Sequence, residues 1–233
     1  MKMLLQQMKW QFILLARNNI ISISIAVTIV YALVFFALEG LDNMYKVLTL
    51  LILNDPAIIG MFFIGLTVIM EKNQQVLSAL FVTPINHHVY LVSRILVLSI
   101  IGWACALGMA LAAIGPAFQF LHFSVGTFGI CMLSCLAGLY LVCYTLEFMH
   151  FTLRSIPLLM ILINLPLLNY FEVTDIRFFD LMPSYGSLSL ITHSYSEEVK
   201  VSTLLYGYAS TAFWISLFYR MVYHAFMARI VNA

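Results

Sequence analysis

Charged side chains are scarce in this sequence. Of its 233 residues, only 9% are Asp, Glu, Lys or Arg, whereas 63% are apolar. Soluble domains carry about a quarter charged residues, and so few charges cannot cover a surface that faces water. The composition therefore excludes an ordinary soluble domain and predicts that the lipid bilayer surrounds most side chains. The mean hydropathy of +1.01 agrees with this prediction.

The sequence also lacks the motifs of nucleotide hydrolysis and covalent catalysis. It contains neither a G-x-x-x-x-G-K-S/T phosphate-binding loop nor a G-x-S-x-G nucleophile elbow. The net charge is only +1, and no cluster of basic and aromatic residues offers a surface for nucleic acid. We therefore expect no catalytic activity and no bound cofactor in this chain, and no nucleic-acid partner.

Cysteine is sparse and lies in apolar surroundings. The four cysteines are Cys105, Cys131, Cys135 and Cys143. None lies in a predicted outer loop, where an oxidising compartment could pair it with a second thiol. We therefore predict buried, free thiols.

Long apolar runs divide the chain into membrane-spanning segments. A helix needs about 20 apolar residues to cross the hydrocarbon layer of a bilayer. The runs cover residues 20–38, 47–70, 88–115, 123–146, 155–171 and 201–222. They predict an all-α integral membrane protein with six transmembrane helices, and residues 1–233 leave no room for a second, soluble domain.

The basic residues are distributed unequally between the two sides of the predicted spans. One side, which includes both termini, holds Lys2, Lys9, Arg17, Lys72, Arg94, Arg154, Arg220 and Arg229. The other side holds only Lys46, Arg177 and Lys200. Because Lys and Arg are enriched in cytoplasmic loops, we expect both termini in the cytoplasm and the chain in the cell membrane.

Two short helices are predicted outside the spans. Before the first span, polar Lys2, Gln6 and Lys9 share one helical face, and the apolar Leu5, Met8, Phe12 and Leu15 form another. This pattern predicts an elbow helix in the membrane interface, although a cytoplasmic extension of the first span would fit the same topology. Between the fifth and sixth spans, the string LMPSYGSLSLIT predicts a short outer-leaflet or re-entrant helix.

A third short helix is predicted in the loop between the second and third spans. In the string EKNQQVLSALFVTPI, which begins at Glu71, the residues Val76, Leu77, Leu80 and Phe81 form a narrow apolar face, and Pro84 closes the segment. Glu71 suits the positive end of such a helix. A helix of this kind either packs on its own protein or inserts into a groove of a partner.

This string resembles the coupling-helix signature of ABC-2 type permeases, in which Glu-Lys, Val-Leu, Ala-Leu and Val-Thr-Pro recur. Within this family, the chain resembles the fluoroquinolone-export-type permease subunits, which also carry an Asn-Asp-Pro-Ala run like that at residues 54–57. The resemblance implies that Glu71, Lys72, Val76, Leu77, Leu80, Phe81, Thr83 and Pro84 dock on a separate ATPase subunit, which would carry ATP and Mg²⁺. It also implies export of a small hydrophobic or amphiphilic molecule by two such six-span subunits, as a homodimer.

Asp55 is the carboxylate that lies well inside an apolar run. A charge within the membrane is costly, so such a residue is a candidate for the translocation path. Alternatively, Asn54 or Asp55 caps a helix that kinks or restarts at Pro56. The residues leave both interpretations open.

The residues leave two other functions open. Glu147 and His150 have helical spacing, and with His87 and His88 they would form the metal site of a membrane-embedded, lipid-modifying enzyme. However, Glu147 also suits an ion pair with Arg154 or Arg94. The second alternative is a haem-export-like assembly subunit with the same six spans, for which no outer loop shows a haem-handling motif.

Overall fold

The computed structural model describes residues 2–37, 44–75, 87–174, 176–195 and 201–231, and within these ranges the chain contains helices and no strand. The helices are α1 (Lys2–Arg17), α2 (Ile20–Ala37), α3 (Met44–Asn73), α4 (His87–Ile114), α5 (Phe120–Cys143), α6 (Phe148–Leu159), α7 (Leu165–Tyr170), α8 (Tyr185–His193) and α9 (Val201–Phe226). A helix satisfies its backbone hydrogen bonds internally, as a lipid-surrounded segment must.

Five helical segments are long and apolar enough to cross a membrane: Tyr45–Asn73, His87–Ile114, Phe120–Cys143, Phe148–Tyr170 and Val201–Val231. The bent pair formed by α1 and α2 supplies a sixth when it is counted as one span. This arrangement fits the predicted six-span layout of a multi-pass membrane protein.

The fifth span begins earlier than predicted. It starts at Phe148 rather than at residue 155, and it includes a π-helical turn at Met160–Asn164 between α6 and α7. Because His150 and Arg154 are polar, hydropathy predicted a loop where the first two turns of this helix lie. A helix can continue past the hydrocarbon layer into water, where these polar groups are solvated.

The chain turns sharply between α1 and α2. The two helices meet at an angle of 67°, and Asn19 adopts a φ of 58° at the break. Asn tolerates this left-handed conformation better than most residues. α1 packs against α4 and buries Leu15, with Met8 and Phe12 partly buried. α1 is therefore a separate helix that does not continue the first span in a straight line. The orientation of α1 parallel to the bilayer stays a prediction.

The centre of the bundle is the contact between α3 and α5, the most extensive one between described helices. Two glycines permit it. A Cβ at Gly60 would lie 2.7 Å from the carbonyl oxygen of Cys131, and one at Gly138 would lie 2.7 Å from that of Met61. Small residues allow helix backbones to approach closely in membranes. All four cysteines are buried and free, as predicted.

The short helix predicted between the last two spans is present as α8. Every residue from Gly186 to Ile191 is buried, because α8 packs against α5 and α9. Just before it, the hydroxyl of Ser184 donates to the carbonyl oxygen of Leu162 at 2.6 Å. α8 is thus an integral part of the bundle.

Candidate functional site

The predicted coupling residues fall into two groups in the structure. Glu71 and Lys72 lie in the last turn of α3. The others, Val76, Leu77, Leu80, Phe81, Thr83 and Pro84, lie outside the described residues, so their apolar stripe stays a prediction. The structure describes the two helices that flank segment 76–86, α3 before it and α4 after it, and the contacts that these helices make.

Glu71 forms a buried ion pair with Arg94 of α4. The Arg94 side chain is only 2% exposed and that of Glu71 12%. Tyr90, one turn before Arg94, donates its hydroxyl to the second carboxylate oxygen of Glu71 at 2.8 Å, and the Arg94 guanidinium lies 4.8 Å from the centre of the Tyr90 ring. Glu71 therefore binds the end of α3 to the beginning of α4.

This position of Glu71 differs from the prediction. Glu71 does not begin a new helix but lies in the final turn of α3, where a negative charge is unfavourable for the helix dipole. Arg94 offsets this charge. The apolar run ends at Met70, so hydropathy gave no indication that the helix continues to Asn73.

Lys72 joins α3 to α5. Its Nζ donates to the carbonyl oxygens of Val142 and Thr145, each at 3.1 Å. The last carbonyl groups of a helix have no partner within it, and a Lys⁺ is favourable beside them. Lys72 thus caps the end of α5.

At the other end of segment 76–86, His88 joins α4 to α9. Its ring stacks on Tyr223, with the ring centres 4.1 Å apart and the planes inclined by 6°. Its Nδ1 lies 2.7 Å from the hydroxyl oxygen of Tyr219, one turn earlier on α9. We call Glu71, Lys72, His88, Tyr90 and Arg94 the junction cluster. Through it, the helix ends beside segment 76–86 contact α5 and α9 as well as each other.

The described residues of the metal hypothesis are not assembled into one metal site. Within the described ranges, no group of three or more His, Cys, Asp or Glu side chains could hold a metal ion. Glu147 lies 3.6 Å from His150, both largely exposed. The predicted pairing of Glu147 with Arg94 or Arg154 is wrong, because Arg94 pairs with Glu71 and Arg154 donates to the Tyr144 carbonyl oxygen at 3.4 Å.

Asn54, Asp55 and Pro56 lie inside α3. The helix does not restart at Pro56 but runs unbroken from Met44 to Asn73, so neither Asn54 nor Asp55 is an N-cap. Asn54 donates to the Leu50 carbonyl oxygen at 3.0 Å, and Asp55 is buried, with 6% exposure. Pro56 packs against α4 where Gly102 leaves room for it.

Two of the cavities between the described spans have walls that are almost wholly apolar. The larger, of about 620 Å³, opens between α4, α5 and α9 and is lined by apolar residues and a few hydroxyl groups. The smaller, of about 320 Å³, lies between α2 and α4, with Phe12 of α1 at its edge. Both fall within the usual range for small-molecule sites.

The chain is similar to two proteins named fluoroquinolones export permease proteins, from two strains of Mycobacterium tuberculosis. It is 28% identical to each over 161 residues, which are 68% of this chain and 66% of theirs. The match thus spans slightly less than two thirds of the length of these relatives. No family model matches the chain, and no solved structure matches it significantly. The resemblance to fluoroquinolone-export-type permeases is confirmed.

Proposed function

We propose that this chain is the membrane-spanning permease subunit of an ATP-driven ABC exporter that moves a small hydrophobic or amphiphilic molecule across the cell membrane. The names of the two relatives support an export permease. The six-span layout supports a protein whose helices enclose a path through the bilayer.

The observation that carries the proposal is the junction cluster. A loop that only connects two spans needs no ties to other helices. Here Glu71 binds α3 to α4, Lys72 binds α3 to α5, and His88 binds α4 to α9. When an ATPase subunit displaces segment 76–86, these contacts transmit the movement to four helices. ATP-bound and ATP-free states then favour different packings of the spans.

The other components of the proposed exporter are separate subunits. ATP and Mg²⁺ bind to separate nucleotide-binding subunits, and this chain does not itself hydrolyse ATP. A second permease subunit completes the pathway, as a homodimer. The excess of Lys and Arg on one side supports an orientation with both termini in the cytoplasm.

The test begins with the tagged chain, purified in mild detergent with its partners, which are identified by mass spectrometry and assayed for ATPase activity. We expect a nucleotide-binding subunit to co-purify. Leu80→Asp places a charge in the predicted apolar stripe, so it should abolish transport while ATPase activity becomes uncoupled or impaired. Leu80→Met, which conserves volume and polarity, is the control and should leave both activities intact.

Two results would contradict the proposal. One is a chain that purifies without any ATPase subunit. The other is full transport by the Leu80→Asp variant, because segment 76–86 would then have no coupling role.

A further inference from the structure

A third cavity, of about 340 Å³, lies between α4, α5 and α9 and continues the larger cavity described above. Ile215 of α9 lines both cavities. The larger cavity lies beside residues 208–215 of α9 and the third beside residues 215–220, and their linings follow the same order along α4 and α5. The two cavities therefore form one groove along α9, which we call the α9 groove.

The α9 groove has an arginine at one end. Arg220 lines the third cavity and is exposed, and none of the described ion pairs includes it. It differs in this from Arg94, which is buried and paired with Glu71. None of the described residues that line the groove is acidic. The groove therefore presents a positive charge that no carboxylate of its lining neutralises.

The junction cluster closes the groove just beyond Arg220. Here His88 of α4 stacks on Tyr223 of α9, and its Nδ1 lies 2.7 Å from the hydroxyl oxygen of Tyr219. Tyr219 also lines the third cavity. A molecule whose charge meets Arg220 must therefore extend in the other direction along α9, towards Tyr208.

The length and depth of the groove match one leaflet of a bilayer. From Tyr208 to Arg220, α9 rises by about 18 Å, and half of the hydrocarbon layer is about 15 Å thick. Arg220 lies about 28 Å from the beginning of α9 at Val201, close to the whole thickness of about 30 Å. Because α9 begins on the predicted outer side, this depth puts Arg220 at the cytoplasmic boundary of the hydrocarbon.

The walls between Arg220 and Tyr208 offer mainly apolar contact. Two of the hydroxyl groups in the lining are already bonded to the backbone of α9. Thr211 donates to the Gly207 carbonyl oxygen and Ser216 to that of Ala212, each at 2.8 Å. Such a surface suits an acyl chain.

We propose that the α9 groove binds an anionic phospholipid of the cytoplasmic leaflet, whose phosphate group binds to Arg220 and whose acyl chain lies along α9 towards Tyr208. A guanidinium group binds two phosphate oxygens at once, and basic pockets between spans on the cytoplasmic side suit acidic headgroups. A zwitterionic headgroup would bring an ammonium group, for which the lining has no carboxylate. The lipid is a bound partner and not a transported molecule, so the proposal does not depend on the proposed function.

The test uses the tryptophan in the groove wall as a reporter. Trp103 lines the groove, and the chain has only two other tryptophans, Trp10 and Trp214. Replacing both of these by Phe in the full-length chain leaves Trp103 as the only tryptophan, and an acyl chain that carries bromine quenches its fluorescence on contact. In detergent micelles, brominated phosphatidylglycerol should quench Trp103 at a concentration at least about tenfold lower than brominated phosphatidylcholine.

A charge variant tests the role of Arg220. Arg220→Gln removes the positive charge, so the preference for phosphatidylglycerol should fall to less than about twofold. Arg177→Gln, the control, removes another exposed arginine that does not line the groove, and it should keep the preference. A chain with Trp214 as its only tryptophan should show no preference between the two lipids, because Trp214 does not line the groove.

A second variant fills the groove. Ala212 lines the groove and is exposed, so Ala212→Phe should weaken the quenching of Trp103 by brominated phosphatidylglycerol at least about tenfold. Leu217→Phe puts the same ring on α9 outside the groove lining, and it should leave the quenching unchanged. Thermal unfolding and size-exclusion chromatography of each variant show whether it is folded and whether its oligomeric state has changed.

Three outcomes overturn the proposal. The first is equal quenching of Trp103 by the two lipids in the chain with Arg220 intact. The second is an unchanged preference for phosphatidylglycerol in folded Arg220→Gln. The third is an Ala212→Phe variant that loses its oligomeric state while lipid quenching stays the same, because the groove would then hold a second copy of the chain.

Discussion

Glu71 and Arg94 show how a single pair of residues fixes the geometry of two spans. Both side chains are largely buried. Arg94 contacts one carboxylate oxygen of Glu71, and Tyr90 donates a hydrogen bond to the other. The two residues are 23 positions apart in the sequence. No periodic pattern in the sequence indicates that they pair, so this ion pair could not be predicted. Hydropathy gives the length of a span but not its rotation about its axis, which decides which polar residues meet.

Removing one partner of this pair should be costly. Glu71→Ala leaves Arg94 buried without its counter-charge, so we expect the free energy of unfolding to fall by about 3–5 kcal/mol. Chemical denaturation in detergent micelles measures the change. The double variant Glu71→Met with Arg94→Met should recover most of the loss, because apolar residues replace both charges.

An exposed pair supplies the control. Lys46 and Glu172 lie 3.8 Å apart, with side chains 40% and 84% exposed. Glu172→Ala should therefore change the free energy of unfolding by less than about 1 kcal/mol. Similar losses at both sites would show that the Glu71–Arg94 pair is not effectively buried.

At the scale of the helices, most of the spans could be predicted because the bilayer imposes a minimum apolar length. The ends of two spans could not be predicted, because the helices continue through polar residues. α6 begins at Phe148 and α3 ends at Asn73, both beyond the apolar runs. The interpretation of Asp55 as a helix cap was wrong for a related reason. Proline usually interrupts a helix in water, but within a membrane neighbouring groups compensate for the lost hydrogen bond, and α3 continues past Pro56.

The contact of α3 with α5 should be sensitive to one added methyl group. Gly138→Ala places a Cβ against the backbone of Met61, which cannot move without moving α3. We expect a loss of about 1–3 kcal/mol in the free energy of unfolding, the usual cost of overpacking. Denaturation in micelles measures it.

Gly108→Ala is the comparison for this variant. There the new Cβ would meet only the side chain of Thr28, at 3.0 Å. A side chain adjusts more easily than a backbone, so the loss should be smaller. Equal losses would show that Gly138 is not needed for the close approach of α3 and α5.

For the whole molecule, the arrangement of the four cysteines makes the predicted topology accessible to experiment. All four are buried between helices, which their apolar sequence surroundings predicted. The direction of the chain in the membrane, by contrast, depends on the distribution of Lys and Arg.

Cysteine labelling in intact cells tests that direction. The native thiols should not react with a membrane-impermeant maleimide. Arg177→Cys, on the predicted outer side, should be labelled from outside, whereas Lys9→Cys should be labelled only after the cells are permeabilised. The reverse pattern would place the termini outside and would rule out docking of a cytoplasmic ATPase on segment 76–86.

The engagement of Glu71 and Lys72 within the bundle has a consequence for assembly. Arg94 neutralises one of these charges, and the carbonyl groups at the end of α5 bind the other. In the proposed complex, neither charge is left to attract the ATPase subunit, so we expect recognition at this position to depend on shape and apolar contact. Ionic strength, which weakens contacts between exposed charges, should therefore have little effect on the affinity of the complex.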